Sequence, residues 1–286
     1  MLQEIRSLGF EWAELSHGIR ISLLPGILEA VDAGEIKISS LHNFCPLPIG
    51  VTGAAPNLYL FSSPDSRERE SAYRHSLKTI ETAARVKASV VVLHMGCIEM
   101  KEYTDKLLGL LKDGKKETSK YADICQTVTT KREKLKEEYV RFSNEMLERL
   151  SGPAEKFGVK LGIENRQALE EIPLDSDLQM LLLEFHQPHI GYWHDCGHAQ
   201  IKENLGFVNH RMHLECMSPR LIGLHVHDVE FPGRDHCPPG TGMIDFAALK
   251  PFVKPEHVKV FELSPKLPPE KVAEGIKHIY QIWGAE

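Results

Sequence analysis

Four acidic or imidazole side chains in the second half of the chain each stand at the end of a short apolar run. They are Glu164 in Val159-Lys-Leu-Gly-Ile-Glu-Asn-Arg166, Asp195 in Ile190-Gly-Tyr-Trp-His-Asp-Cys-Gly-His198, His225 in Leu221-Ile-Gly-Leu-His-Val-His-Asp228 and Glu262 in Val258-Lys-Val-Phe-Glu-Leu263. Their oxygen and nitrogen donors suit a hard or borderline divalent cation. Any one alone is equally well read as a strand-end salt bridge or a satisfied histidine. Four in order, each at the tip of an apolar run, point to one site.

Further residues gather around these. His198 follows Asp195 by three, so a helical turn there would aim both at one ligand. His225 and His227 have the same parity and share a strand face, one as a ligand and the other as its support or a substrate contact. His42 and His94 end apolar runs as well, where an ordinary polar strand cap outweighs a metal or substrate role. Arg234 and His236 lie in the Pro/Gly loop 232–242, and Arg234 could pair with a phosphate or carboxylate in two-pronged fashion.

Something must bring these distant positions together. The pattern predicts a helix over 1–10 ending at Gly9, strands at 11–17 and 36–42, and a helix over 23–33 between them. A Pro/Gly loop (45–57), a long helix (66–87) and a strand (89–94) come next; that strand is apolar throughout, as expected when both faces are covered. Residues 100–157 read as two helices, the second charged and solvated. Strands at 159–164, 190–195, 221–227 and 258–263 then alternate with helices at 175–186, 204–217, 245–252 and 268–284. Seven strands in strand–helix units imply a parallel sheet. The chemistry falls at strand C-terminal ends, where a closed barrel gathers its functional groups. The expected fold is a single (β/α)8 TIM barrel domain over 1–286, its first strand missing or displaced.

Composition narrows the partners. The 286 residues carry a net charge of −6, which leaves no basic footprint for nucleic acid. Six cysteines without a C-x-x-C pair read as reduced thiols. No apolar stretch reaches spanning length and no signal peptide opens the chain, so a soluble, cytoplasmic protein is expected. The strings of phosphate loops, dinucleotide folds and α/β-hydrolases are absent.

In Gly-Ile-Glu-Asn-Arg (162–166), His-Asp-Cys-Gly-His (194–198), His-Val-His-Asp (225–228), Pro-Gly-Thr-Gly-Met-Ile-Asp-Phe (239–246) and Phe-Glu-Leu-Ser (261–264), the chain resembles the xylose isomerase-like barrel superfamily. That superfamily holds sugar (phosphate) isomerases and epimerases and endonuclease IV. The resemblance implies one divalent ion (Mn²⁺, Mg²⁺, Co²⁺ or Zn²⁺) on Glu164, Asp195, His225 and Glu262. Glu164 and Glu262 would move the proton of a sugar, sugar phosphate or polyol through an enediolate. His198 and Arg234, with His94 and His227, would hold substrate oxygens. The endonuclease IV branch implies more than one Zn²⁺, with His42, His94, His198 and His236 as additional ligands and abasic DNA as substrate. Its loop carries a carboxylate where this chain has Arg234, a cation in place of one ligand of the three-zinc site. A dehydratase built on the same metal site is the third alternative.

Overall fold

Runs rich in Val, Ile and Leu become strands because branched side chains pack well on a sheet covered on both faces. The computed structural model describes residues 2–54 and 56–284; Met1 of the predicted first helix and Ala55 of the predicted loop 45–57 lie outside the described residues. The elements open with α1 (Leu2–Ser7), β1 (Trp12–Leu15), α2 (Leu24–Asp32), β2 (Lys37–His42), α3 (Ser66–Arg85) and β3 (Val90–Leu93). They continue with α4 (Thr104–Lys112), α5 (Ser119–Phe157), β4 (Lys160–Glu164), α6 (Asp175–Glu184) and β5 (Ile190–Asp195). Then come α7 (Cys196–Leu205), α8 (His210–Met217), β6 (Leu221–Val226), β7 (Asp228–Glu230), β8 (Arg234–Cys237), α9 (Phe246–Leu249), β9 (Val258–Phe261) and α10 (Pro269–Trp283).

Seven of the strands form one sheet in the order β1-β2-β3-β4-β5-β6-β9, with parallel pairing. These are the seven strands read from the sequence, and no eighth joins them among the described residues. The fold is of the TIM-barrel type, with strand and helix alternating.

The chain divides into two compact units. The first comprises residues up to Gly96, Glu138–Glu164 and Phe185–Gly191. Its core includes β3, whose Val90, Val91, Val92 and Leu93 are all buried, as the unbroken apolar run requires. Helix α3 is capped by the Asp65 side chain, which accepts from the Arg67 amide. It buries Ala72, Ser76, Thr79, Ile80 and Ala83, one face at helical spacing. Two of these carry hydroxyls for a reason: the Asn43 amide donates to Ser76 Oγ at 2.9 Å, and Thr79 Oγ1 donates back to Asn43 Oδ1 at 2.9 Å. That clamp fixes the backbone immediately after β2.

The second unit comprises Cys97–Glu137, Asn165–Glu184 and Tyr192–Glu286. Here the structure departs from the expected elements in two places. The predicted helix 204–217 is two helices, and the first begins directly after β5. Asp195 caps α7 by accepting from the His198 amide, and Gly206, at φ +83, ends it. Asn209 then caps α8. The periodicity of α8 hides α7, which is buried along most of its length and shows no polar face. The second departure is in the Pro/Gly loop 232–242, which supplies β8 and so closes an antiparallel hairpin with β7 just before it. Asp228 anchors the turns beyond the hairpin. Its Oδ1 accepts the amides of Val229 and Ile244, and its Oδ2 those of Gly240 and Gly242, all at 2.8–3.0 Å.

Candidate functional site

The candidate residues stand at or beside the C-terminal ends of their strands. Glu164 and Asp195 are the last residues of β4 and β5, His42 is the last of β2, and His225 stands one before the end of β6. His94 and Glu262 follow β3 and β9 by one residue.

In the first unit His42, His94 and Glu164 converge. His94 Nε2 lies 2.8 Å from Glu164 Oε2 and 3.1 Å from His42 Nε2, and His42 Nε2 is 3.9 Å from the same carboxylate oxygen. The far side of each ring faces an oxygen: His42 Nδ1 the Asn43 carbonyl at 3.2 Å, His94 Nδ1 the Asn57 side-chain oxygen at 3.1 Å. Those oxygens accept, so each Nδ1 carries the hydrogen and each Nε2 turns its lone pair to the carboxylate. Three electron-rich atoms so arranged fit a cation, and a tautomer set by an outer acceptor is what metal-binding histidines use.

In the second unit the centre is Asp195, fully buried. His225 Nδ1 lies 3.5 Å from Asp195 Oδ2 and 3.1 Å from Glu262 Oε2. His198 holds the Asn165 carbonyl through Nδ1 at 3.0 Å, and His236 holds the Glu262 carbonyl through Nδ1 at 3.0 Å. Both therefore keep Nε2 as an acceptor, like His42 and His94. Burial works to raise the Asp195 pKa, but His198 and His227, with hydrogen bonds from His225 and His227, hold it well below the usual carboxylate range. The carboxylate is thus ionised and suited to a cation.

His227 is different. Its Nε2 reaches both Asp195 oxygens at 3.1 Å, while its Nδ1 accepts the His236 backbone amide at 3.0 Å. Burial works against a charged ring, whereas the charge of Asp195 favours one and pulls its pKa up to about 9; the His236 amide hydrogen aimed at Nδ1 opposes that charge, and the geometry decides. A second proton at Nδ1 would collide with the amide hydrogen already aimed there. The amide therefore fixes the neutral ring, with hydrogen on Nε2.

Two further residues are not among those read from the sequence. Asn165 ties the tips together: its Oδ1 accepts the Asp195 amide at 2.7 Å, its Nδ2 donates to the Asp195 carbonyl at 3.0 Å, and its carbonyl takes His198. Its place beside Glu164 was the available signal. Asn57, which sets the His94 tautomer, lies in a loop without periodicity. Arg234 stands apart from these groups; it is exposed on the hairpin and pairs with Glu230 at 2.8 Å.

The other face of β5 holds a buried polar cluster. Tyr192 Oη is 3.0 Å from Asn165 Oδ1, 2.7 Å from His194 Nδ1 and 2.9 Å from His213 Nε2, and His194 Nε2 meets His210 Nε2 at 2.9 Å. Burial first, then the neighbouring ring, pushes His210 down to about 3, and burial pushes His213 down to about 4. All three rings are neutral spacers that brace Tyr192 and, through it, Asn165.

Fold and site together define an α/β barrel-type protein with carboxylate and imidazole groups gathered at its strand ends. A family model, the xylose isomerase-like TIM barrel, matches residues 2–282, and the chain belongs to that family. Among solved structures it is similar to a D-tagatose 3-epimerase-like protein, with TM-score 0.70 and 18% identity over 98% of this chain and 92% of that one. D-psicose 3-epimerase of Clostridium cellulolyticum H10, solved with D-tagatose, gives TM-score 0.68 and 13% identity, covering 99% and 93% of the two chains. The IOLI protein, solved with a zinc atom, gives TM-score 0.67 and 17% identity, covering 99% and 93%. A search of curated proteins finds no match. Among the described residues no helix is long and apolar enough to cross a membrane.

Proposed function

We propose that the protein is a divalent-metal-dependent isomerase or epimerase of a small sugar, sugar phosphate or related polyol. One observation carries the reading: the buried, ionised Asp195 faces His225, which in turn faces Glu262. Glu164, from the neighbouring strand in sheet order, completes the ligand set we propose. Mn²⁺, Mg²⁺, Co²⁺ and Zn²⁺ all accept such donors. When bound, the ion supplies Lewis-acid stabilisation of the negative charge that grows on adjacent substrate oxygens.

The remaining chemistry falls to the chain. Glu164 and Glu262 take a proton from the carbon beside the carbonyl and return it. His198 and His94 contribute hydrogen bonds that orient substrate oxygens. The similar structures include a D-tagatose 3-epimerase-like protein and a D-psicose 3-epimerase, which supports a ketose-like substrate. Activity of Glu164→Gln and Glu262→Gln on a panel of ketoses and their phosphates tests the proposal. Both variants should lose about 10²–10⁴-fold in kcat, and wild-type rates in either would refute the proton-transfer assignment.

A second reading is favoured by the convergence of His42, His94 and Glu164. It places more than one Zn²⁺ in the protein and phosphodiester hydrolysis at abasic DNA as its reaction. Cleavage of an abasic duplex by zinc-loaded protein would establish it, and no cleavage at any zinc loading would remove it.

A further inference from the structure

We infer that His227 is a positioning residue: its Nε2–H orients the Asp195 carboxylate, and the ring itself binds neither ion nor substrate. The inference rests on the proposal that Asp195 is a metal ligand. By spacing alone His227 is a candidate ligand, since it forms a group with His236 and Glu262 whose donor atoms lie within 4.8 Å of one another. Hydrogen bonding excludes it. The lone pair on Nδ1 is taken by the His236 amide, at 3.0 Å. The nitrogen that remains lies 3.1 Å from both oxygens of the Asp195 carboxylate, and with Nδ1 accepting the amide it is Nε2 that donates to them. No lone pair is left for an ion. Nor is there room for substrate, because the ring is fully buried.

The surroundings are shaped to this arrangement. The ring packs over the first turn of α7 at Gly197, where a Cβ would overlap its Cε1 and Nδ1 atoms. On its other side lies the His236 ring, with centroids 4.5 Å apart. Glycine is thus required two residues after Asp195 so that His227 can reach it. A histidine that points a fixed N–H at a ligating carboxylate limits its rotation and lets it meet an ion without reorganising, and loss of such outer partners typically weakens metal binding 10–100-fold.

Two substitutions separate the possible roles, because asparagine imitates Nδ1 and glutamine imitates Nε2. His227→Asn keeps an acceptor for the His236 amide and loses the donor to Asp195; His227→Gln does the reverse. Co²⁺ would be titrated into the full chain after chelation, with ions per chain, visible absorption and apoprotein Tm recorded. We expect the Asn variant to bind Co²⁺ about 10–100-fold more weakly, the Gln variant to stay close to wild type, and ions per chain to stay unchanged in both. The opposite order would show a hairpin tie only and overturn the inference. Wild-type affinity in both variants, or loss in both, would also overturn it. Imidazole-nitrogen NMR of wild-type protein reads the tautomer without any substitution: hydrogen on Nε2 supports the inference, hydrogen on Nδ1 overturns it. Wild-type protein that takes up no Co²⁺ would remove the metal reading and this inference with it, whereas normal wild-type uptake with no Asn effect removes this inference alone.

Discussion

At the scale of residues, the recurring device is a histidine whose Nδ1 is tied outward so that Nε2 faces inward. His42, His94, His198 and His236 use an oxygen acceptor for this, three of them a backbone carbonyl. The outer acceptor decides the tautomer, and the tautomer decides whether the ring can accept a cation's approach. Asn57 is the acceptor with the least support from regular structure. Replacing it with Ala should leave folding nearly intact and let the His94 ring turn. If His94 binds an ion or substrate, Asn57→Ala weakens that binding about 10-fold or more; calorimetric titration with Zn²⁺ reads it, and an unchanged affinity would remove His94 from the site.

At the scale of elements, two clusters carry stability that can be measured directly. Asp228 satisfies four backbone amides with one carboxylate. Leaving several buried donors unpaired should make Asp228→Ala cost about 3 kcal/mol or more, measured by urea unfolding; a cost below about 1 kcal/mol would mean that water replaces the carboxylate. The histidines of α8 act through pH. His210 is pushed down to about 3 and His213 to about 4, whereas in the unfolded chain both titrate near 6.5. Below about pH 6.5 the unfolded state therefore binds more protons than the native one, and stability falls as pH is lowered, by up to about 1.4 kcal/mol per pH unit for each group. Above that pH they contribute no slope. Urea midpoints between about pH 7 and 5 should fall less steeply for His213→Gln than for wild type, and parallel slopes would show that His213 is not neutral in the fold.

At the scale of the molecule, β5 and α5 each contribute residues to both compact units, and one family match spans nearly the whole chain. Separate unfolding of either unit would have to break those elements. A single calorimetric transition is expected, with calorimetric and van't Hoff enthalpies equal; two resolved transitions would establish two domains. The proposed ion adds to that stability by mass action. Apoprotein should gain about 2.7 kcal/mol at a free metal concentration one hundred times Kd, seen as a rise in Tm with Mn²⁺ or Co²⁺. Metal content near one ion per chain supports the isomerase reading, and a content near three zinc ions would favour the nuclease reading.

The seven strands and the residues that end them are legible along the chain, because both arise from local pattern. An apolar run such as Ser89-Val-Val-Val-Leu-His94 is satisfied by a covered strand, and a polar or charged residue at its exit marks where that strand ends. The sequence could also place Asp195 and His198 on one turn, since three residues of spacing is a local fact. It could not separate α7 from α8, because α7 is buried on nearly every side and has no polar stripe to read. Nor could it rank the histidines. His225 and His227 have the same spacing and parity, yet the amide of His236, nine residues away in sequence, fixes one as a donor to Asp195. Arg234 and His236 belong to one short strand, and only the hairpin's placement turns the first toward Glu230 and the second toward Glu262. Which nitrogen carries a hydrogen depends on partners brought near by folding, and no pattern along the chain encodes those partners.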